Sequence, residues 1–278
     1  MSKIKLPAPL RHAPRQTLER VSAVFFDIDD TFSLHGKILS ESYDALWRLR
    51  KAGFRLVPVT GRPAGWCDMI ARMWPIDGVV GENGAFYCSL DEKKKKLEKI
   101  YLETPKVRAA NQKKLIALKK KLIKKFPGLR TPSDQPYREF DLAIDYCEDV
   151  KPWPEKRVQQ CLEFCRSHGA IAKLSSIHVN TWFGRYDKLT CVRRVLKSFY
   201  GAVDAKTLAQ IAYIGDSPND EPFFEALPFT VGVANVAPFL KKMDYAPTYI
   251  TEREGSFGFA ELADRLIAAR SKILLPKN

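Results

Sequence analysis

Carboxylates are concentrated in two short stretches of this chain, Asp27-Ile28-Asp29-Asp30-Thr31 and Asp216-Ser217-Pro218-Asn219-Asp220, while a third stretch, Thr60-Gly61-Arg62, offers a hydroxyl and a guanidinium. Each follows on an apolar run, SAVFF and RLVPV directly and QIAYI after Gly215. Carboxylates that are brought together repel, and the ordinary resolutions are shared protons or a hard divalent cation. No cysteine or histidine lies beside these aspartates, which disfavours a softer metal. Mg2+ is therefore the expected cofactor, because it keeps several waters and needs only one or two protein carboxylates. One aspartate alone is readily explained as a helix cap or turn residue. The whole set at successive strand ends is not.

The elements that must position these residues are legible from period. Ser22–Ile28 (SAVFFDI) is too apolar for a one-sided strand and suits a parallel strand covered on both faces. A helix is expected over Ser40–Lys51, opening at Ser40 or Ser42 as N-cap, then a strand at Arg55–Val59, a helix at Ala64–Met73 and a third strand at Gly78–Gly81. This βαβαβ series predicts a Rossmann-like parallel sheet with helices on both faces. After Asn83-Gly84 the pattern changes, with strands flanking Asp91–Lys96, a basic helix over Pro105–Phe126, a strand at Phe140–Tyr146, a helix at Pro154–His168, and strands near Ile171–Leu174 and Ile177–Trp182. The first pattern resumes with helices at Asp187–Tyr200, Glu221–Ala226 and Phe257–Arg270 and strands at Gln210–Ile214 and Phe229–Val233. The expected fold is α/β, a core at 1–84 and 185–278 interrupted by an inserted α+β domain at 85–184. Ligands of open parallel sheets bind outside the carboxyl ends of the strands. Asp27, Asp29 and Asp216 are thus expected at one mouth.

Taken with Lys188 in Tyr186-Asp187-Lys188-Leu189, these stretches occur in the order and spacing of the four motifs of the haloacid dehalogenase-like superfamily, which the chain resembles from about residue 20 onward. The insertion after Glu82-Asn83-Gly84 resembles the type IIB cap of its Cof-like and sugar-phosphatase branch. One position departs from the pattern: Asp30 stands where the family commonly has glycine. The resemblance implies a Mg2+-dependent phosphatase acting on a small phosphorylated metabolite, expected to be a sugar phosphate of trehalose, sucrose or mannosylglycerate type. It makes Asp27 the nucleophile that forms an aspartyl-phosphate and Asp29 the acid and then the base. It assigns the metal to Asp27, the Asp29 carbonyl and Asp216, the phosphoryl oxygens to Thr60, Gly61, Lys188 and Asn219, and support of the metal site to Asp220. The alternatives are a phosphomutase and a non-catalytic polyanion-binding protein.

Within the insertion, His178, Asn180 and Trp182 alternate onto one face of a strand, a polar and aromatic surface suited to sugar hydroxyls and a pyranose face, or else an ordinary sheet face holding a packed tryptophan. Arg62 and Asn83, beside the motifs, are further expected substrate contacts. The net charge is +14. The insertion carries 21 Lys/Arg against 12 Asp/Glu, and much of that excess lies on Lys113, Lys114, Lys119, Lys120, Lys121, Lys124 and Lys125 of the basic helix, interleaved with Leu115, Ile116, Leu118, Leu122 and Ile123. That spacing reads as the solvated face of an amphipathic helix, and without aromatic interleaving no nucleic-acid partner is expected. Six scattered cysteines form no zinc pattern and are expected reduced, mostly buried. No apolar run is long enough to cross a membrane, and the first twenty residues carry no secretory signal. A soluble cytoplasmic protein, monomeric or homodimeric, is expected.

Overall fold

The computed structural model describes residues 6–175 and 177–271; residues 1–5, Ser176 and 272–278 of the expected segments lie outside the described residues. The chain forms two compact units. One comprises residues 6–60, 73–79 and 192–271, the other Gly61–Arg72 and Val80–Cys191. The short segments 61–72, 80–84 and 185–191, read from sequence with the core, thus group with the second unit.

In the first unit, six parallel strands run in the order Ala8–Pro9, Tyr249–Ile250, Thr230–Gly232, Ile211–Gly215, Ala23–Phe26 and Arg55–Pro58. Ala23–Phe26 and Ile211–Gly215 are buried at every residue, the burial on both faces that their unbroken apolar sequences predict. Helix Ser40–Lys51 buries Ser42, Ala45, Leu46 and Leu49, a stripe at helical spacing. Neither expected serine caps it. Leu39 holds the N-cap position, and the Ser42 hydroxyl instead donates to the Leu39 carbonyl at 3.1 Å. The rings of Phe26, Phe32 and Phe259 meet at 4.9–5.3 Å between centroids and centre the core. The strands Ala8–Pro9 and Tyr249–Ile250 and the helix Arg15–Arg20 were not expected from sequence; a strand of two residues carries no period to read.

The expected third strand of this sheet is corrected. Val79–Gly81 pairs in a separate three-stranded sheet, beside Phe86–Asp91, which in turn pairs antiparallel with Lys96–Tyr101. The cause is the turn that follows it. Glu82, Asn83 and Gly84 all take left-handed backbone (φ 42°, 56° and 101°) and return the chain onto its own strand within four residues.

The second unit also contains an antiparallel sheet in the order Asp141–Asp145, His178–Trp182, Ile171–Leu174. One face, with Leu142, Ile144 and Val179, packs on helices Pro105–Lys125 and Glu155–Ser167 through Leu115, Leu118, Leu122, Val158, Cys161, Leu162 and Cys165. Ile116 and Ile123 of the basic helix do not join that stripe but are about half exposed, at 53% and 52%. All six cysteines are free thiols, five of them buried and Cys147 half-buried. No helix among the described residues is long and apolar enough to cross a membrane.

Candidate active site

In the first unit, the strand Ala23–Phe26 delivers Asp27, 4% exposed, to its carboxyl end, where the Asp27 amide donates to the Ile214 carbonyl at 3.0 Å. The chain then turns through Ile28–Phe32, with Asp29 extended (φ −70°, ψ 125°) and Asp30 left-handed (φ 54°). That backbone is what glycine adopts freely and aspartate tolerates, so Asp30 satisfies the position it occupies. Its amide donates to Ser33 Oγ (3.2 Å), its Oδ1 accepts the His35 amide (3.2 Å), and its carbonyl accepts Asn235 Nδ2 (2.9 Å). The loop is held from both sides.

The neighbouring strand Ile211–Gly215 ends at Asp216. Carboxylate oxygens of Asp27, Asp216 and Asp220 all lie within 4.8 Å of one another, and all three residues are buried. Burial and the negative neighbours Asp220, Asp27 and Asp30 push Asp216 well above the usual carboxylate range, against the pull of Thr31 Oγ1, which donates to Asp216 Oδ1 at 3.1 Å. Asp220 is engaged differently. Its Oδ1 accepts the Tyr213 hydroxyl at 2.5 Å and its Oδ2 accepts the amides of Asp216 (3.1 Å) and Ser217 (3.3 Å), so this carboxylate fixes the loop that carries Asp216. Asn219 Oδ1 accepts the Ser217 hydroxyl at 3.2 Å. The Asp29 carboxylate does not belong to the group of three. An all-oxygen donor set of converging carboxylates fits a hard divalent cation such as Mg2+, which would relieve the repulsion that raises Asp216.

The second unit brings together other residues singled out from sequence. A Cβ on Gly61 would meet Asn83 Oδ1 at 3.1 Å, which would have to give by a few tenths of an ångström, and Asn180 Nδ2 at 3.5 Å, an ordinary contact, so both amides lie against the Gly61 backbone. Arg138 Nη1 donates to the Gly61 carbonyl and to Asp141 Oδ1, both at 2.8 Å, and Asp141 Oδ2 accepts Asn83 Nδ2 at 3.0 Å. One buried carboxylate ties these parts: Glu82 accepts the amides of Ala64, Glu139, Phe140 and Asp141. Burial and the charge of Asp141 push Glu82 up, while its amide donors and Arg138 pull it back. Gly84 is bound by a close approach. A Cβ there would sit 2.1 Å from the Asp187 carbonyl oxygen and 2.7 Å from the Lys188 nitrogen, so the turn lies backbone to backbone against the start of helix Lys188–Tyr200.

Arg62 is buried and stacks over Trp66, its guanidinium carbon 4.6 Å from the ring centroid. It pairs with Glu148 at 3.1 Å and Asp134 at 3.6 Å, and His178 Nε2 lies 2.8 Å from the other Glu148 oxygen. His178 and Asn180 do share a face with Trp182, but all three are buried. The indole of Trp182 donates to the Tyr186 carbonyl at 3.2 Å and stacks on the Tyr186 ring at 5.9 Å. Its N–H is used within the unit. Sequence reasoning did not single out Tyr213, Asn235, Asp134, Arg138, Asp141 or Glu148. The signal for Tyr213 was a tyrosine within an otherwise apolar buried strand; the others gave none.

A family model described as haloacid dehalogenase-like hydrolase matches residues 24–123, which include the Asp27 and Thr60 loops and the Glu82 turn. The chain is 27% identical over 251 residues to a phosphoglycolate phosphatase of Methanothrix thermoacetophila, covering 90% of this chain and 98% of that protein. Among solved structures, the C-terminal domain of C. albicans trehalose-6-phosphate phosphatase matches with a TM-score of 0.67 at 14% identity, over 96% of this chain and 99% of that one. The Synechocystis sucrose-phosphatase, solved with sucrose and phosphate, matches with a TM-score of 0.61 at 15% identity, over 89% and 98%. At these identities the likeness is one of fold.

Proposed function

We propose that this protein is a phosphatase that hydrolyses a small sugar phosphate through an aspartyl-phosphate on Asp27, with Mg2+ as cofactor. The observation that carries the reading is the convergence of Asp27, Asp216 and Asp220 at the carboxyl ends of adjacent parallel strands. Asp27 and Asp216, with the Asp29 carbonyl, would hold the ion, which when bound offsets the repulsion between nucleophile and phosphate. A carboxylate oxygen of Asp27 attacks phosphorus; the ester P–O bond breaks, and the leaving oxygen takes its proton from the Asp29 carboxyl. Water then attacks phosphorus, giving its proton to the Asp29 carboxylate, and the bond to Asp27 breaks to restore the free carboxylate. Thr60, Gly61, Lys188 and Asn219 hold the phosphoryl oxygens, and Asp220 keeps the Asp216 loop in place. The insertion 85–184 serves as a type IIB cap that chooses the leaving group.

Release of inorganic phosphate from a panel of sugar phosphates, with Mg2+ or with excess chelator, tests this reading. Asp27→Asn removes the nucleophilic charge at constant size and should lower turnover at least about 10³-fold. Substantial residual turnover excludes the covalent route, full activity in chelator excludes the metal, and isomerisation without phosphate release identifies a mutase instead.

A further inference from the structure

The helix Pro105–Lys125 of the second unit carries nine basic residues and no acidic one in 21 positions. Its inward stripe of Leu115, Leu118 and Leu122 is covered by the sheet and by helix Glu155–Ser167, so its outward face has to be judged by itself. Two features set that face apart.

The first is charge without partners. Several exposed cations elsewhere are paired, as Arg48 is with Asp44, Arg72 with Asp68 and Lys99 with Glu139. Among the described residues, no lysine of this helix lies within ion-pair distance of a carboxylate. Like charges four residues apart, such as Lys120 with Lys124 and Lys121 with Lys125, repel instead. Helix Glu155–Ser167, packed on the same sheet face, does not compensate: the two helices together hold twelve basic residues against two acidic, a net of +10. The second feature is apolar surface among those charges. Ile116 and Ile123, seven residues apart and so on one side of the helix, are each about half exposed. Lys113, Lys119 and Lys120 lie three or four residues from Ile116, and Lys119 and Lys120 lie as close to Ile123. A purely solvated face has no use for isoleucine, which favours a helix less than lysine or glutamine does.

Charge and apolar surface together discriminate between occupants. A second copy of this face would set +10 against itself. A nucleic acid takes the lysines through its phosphates but gives the isoleucines no apolar partner, and the helix offers it no aromatic side chain to stack on. Its one arginine, Arg108, already lies over the Tyr101 ring at 3.8 Å. An anionic bilayer meets both features, with headgroup charge for the ammonium groups and an acyl boundary for the isoleucines, while the long lysine stems keep their charged ends at headgroup level.

We propose that the outward face of Pro105–Lys125 docks on an anionic lipid surface, with Ile116 and Ile123 entering the acyl boundary and Lys113, Lys119, Lys120 and Lys124 held by headgroup charge. The helix lies on the bilayer and does not span it, being too charged to cross. The inference concerns the second unit alone and is independent of which ester the protein cleaves.

The test is co-sedimentation of the full-length protein with vesicles of phosphatidylcholine alone or of equal parts phosphatidylcholine and phosphatidylserine. Binding is expected to the mixed vesicles and not to the neutral ones, and it should weaken as salt rises. Lys113→Gln combined with Lys120→Gln should weaken it about 25-fold, since each lysine near an anionic bilayer is worth about fivefold in affinity. Ile116→Gln combined with Ile123→Gln leaves the charge unchanged and the helix well formed, and should weaken binding about tenfold. A wild-type protein that stays in solution with the mixed vesicles at low salt overturns the proposal. So does an isoleucine variant, folded by circular dichroism, that binds within about twofold of the wild type. Tighter binding to duplex DNA than to the mixed vesicles, measured in competition, overturns it in favour of a nucleic-acid partner. Should the isoleucine variant fail to fold, Ile116→Trp takes its place: the larger interfacial side chain should tighten binding about threefold or more, and unchanged or weaker binding again overturns the proposal.

Discussion

Replacing Glu82 with glutamine asks whether the most heavily bonded side chain of the second unit is a carboxylate. Its Oε1 accepts the amides of Ala64 (2.9 Å) and Glu139 (2.8 Å), and its Oε2 those of Phe140 (2.6 Å) and Asp141 (3.0 Å). A carboxylate accepts with both oxygens and donates nothing, whereas an amide offers one oxygen and one NH2. Whichever way the substituted side-chain amide turns, two buried N–H groups face a donor. Each buried donor left unmade costs about 1–3 kcal/mol, so the pair costs about 2–6 kcal/mol. Loss of the charge works the other way, relieving burial and the repulsion from Asp141 that push Glu82 up. Burial prevails on balance and pushes Glu82 up to about 8, so the four-bonded carboxylate is the form present above that pH. With about 2–4 °C lost per kcal/mol in chains near this size, the melting of the unit that holds Glu82 should fall by roughly 5–20 °C at a pH above about 8, where Glu82 is ionised. Calorimetry is the suitable assay, since two units can melt as separate transitions. A neutral carboxyl would be nearly isosteric with glutamine and hardly notice the change. A shift of less than about 2 °C therefore refutes the four-bonded carboxylate.

Gly84→Ala places a Cβ 2.1 Å from the Asp187 carbonyl oxygen at φ 101°, and should lower stability by about 2 kcal/mol or more; an unchanged urea midpoint contradicts the close approach. Tyr213→Phe removes the hydroxyl that donates to Asp220 at 2.5 Å, costing about 1.5–3 kcal/mol for a buried bond to a charged acceptor. Equal denaturant stability of variant and wild type would mean that Asp220 is held by its backbone donors alone. The hydrogen bond from His178, with Arg62 beside it, lowers Glu148 from 4.5 to about 2, so its contribution to stability is complete above pH 4.5 and is lost as the pH falls towards 2. Glu148→Gln should flatten that acid limb, and an unaltered limb excludes the charge pairing of Glu148.

What was legible in the sequence followed from local rules. SAVFF and QIAYI had to be strands covered on both faces, and their ends carry Asp27 and Asp216 into one group because adjacent parallel strands finish at the same edge. The fate of Val79–Gly81 was not legible, because an apolar triplet fits either sheet and three successive left-handed residues in Glu82-Asn83-Gly84 decide which. Alternation put His178, Asn180 and Trp182 on one face correctly, yet it says nothing of what covers that face, and here the indole N–H is taken by Tyr186. The network around Gly61 was still further from view. Asn83 meets Asp141 across 58 positions and Arg62 meets Glu148 across 86, separations that leave no periodic trace. Groups of this kind are local in space only, so a sequence can display a motif aspartate while concealing the carboxylates that pair with Asn83 and Arg62.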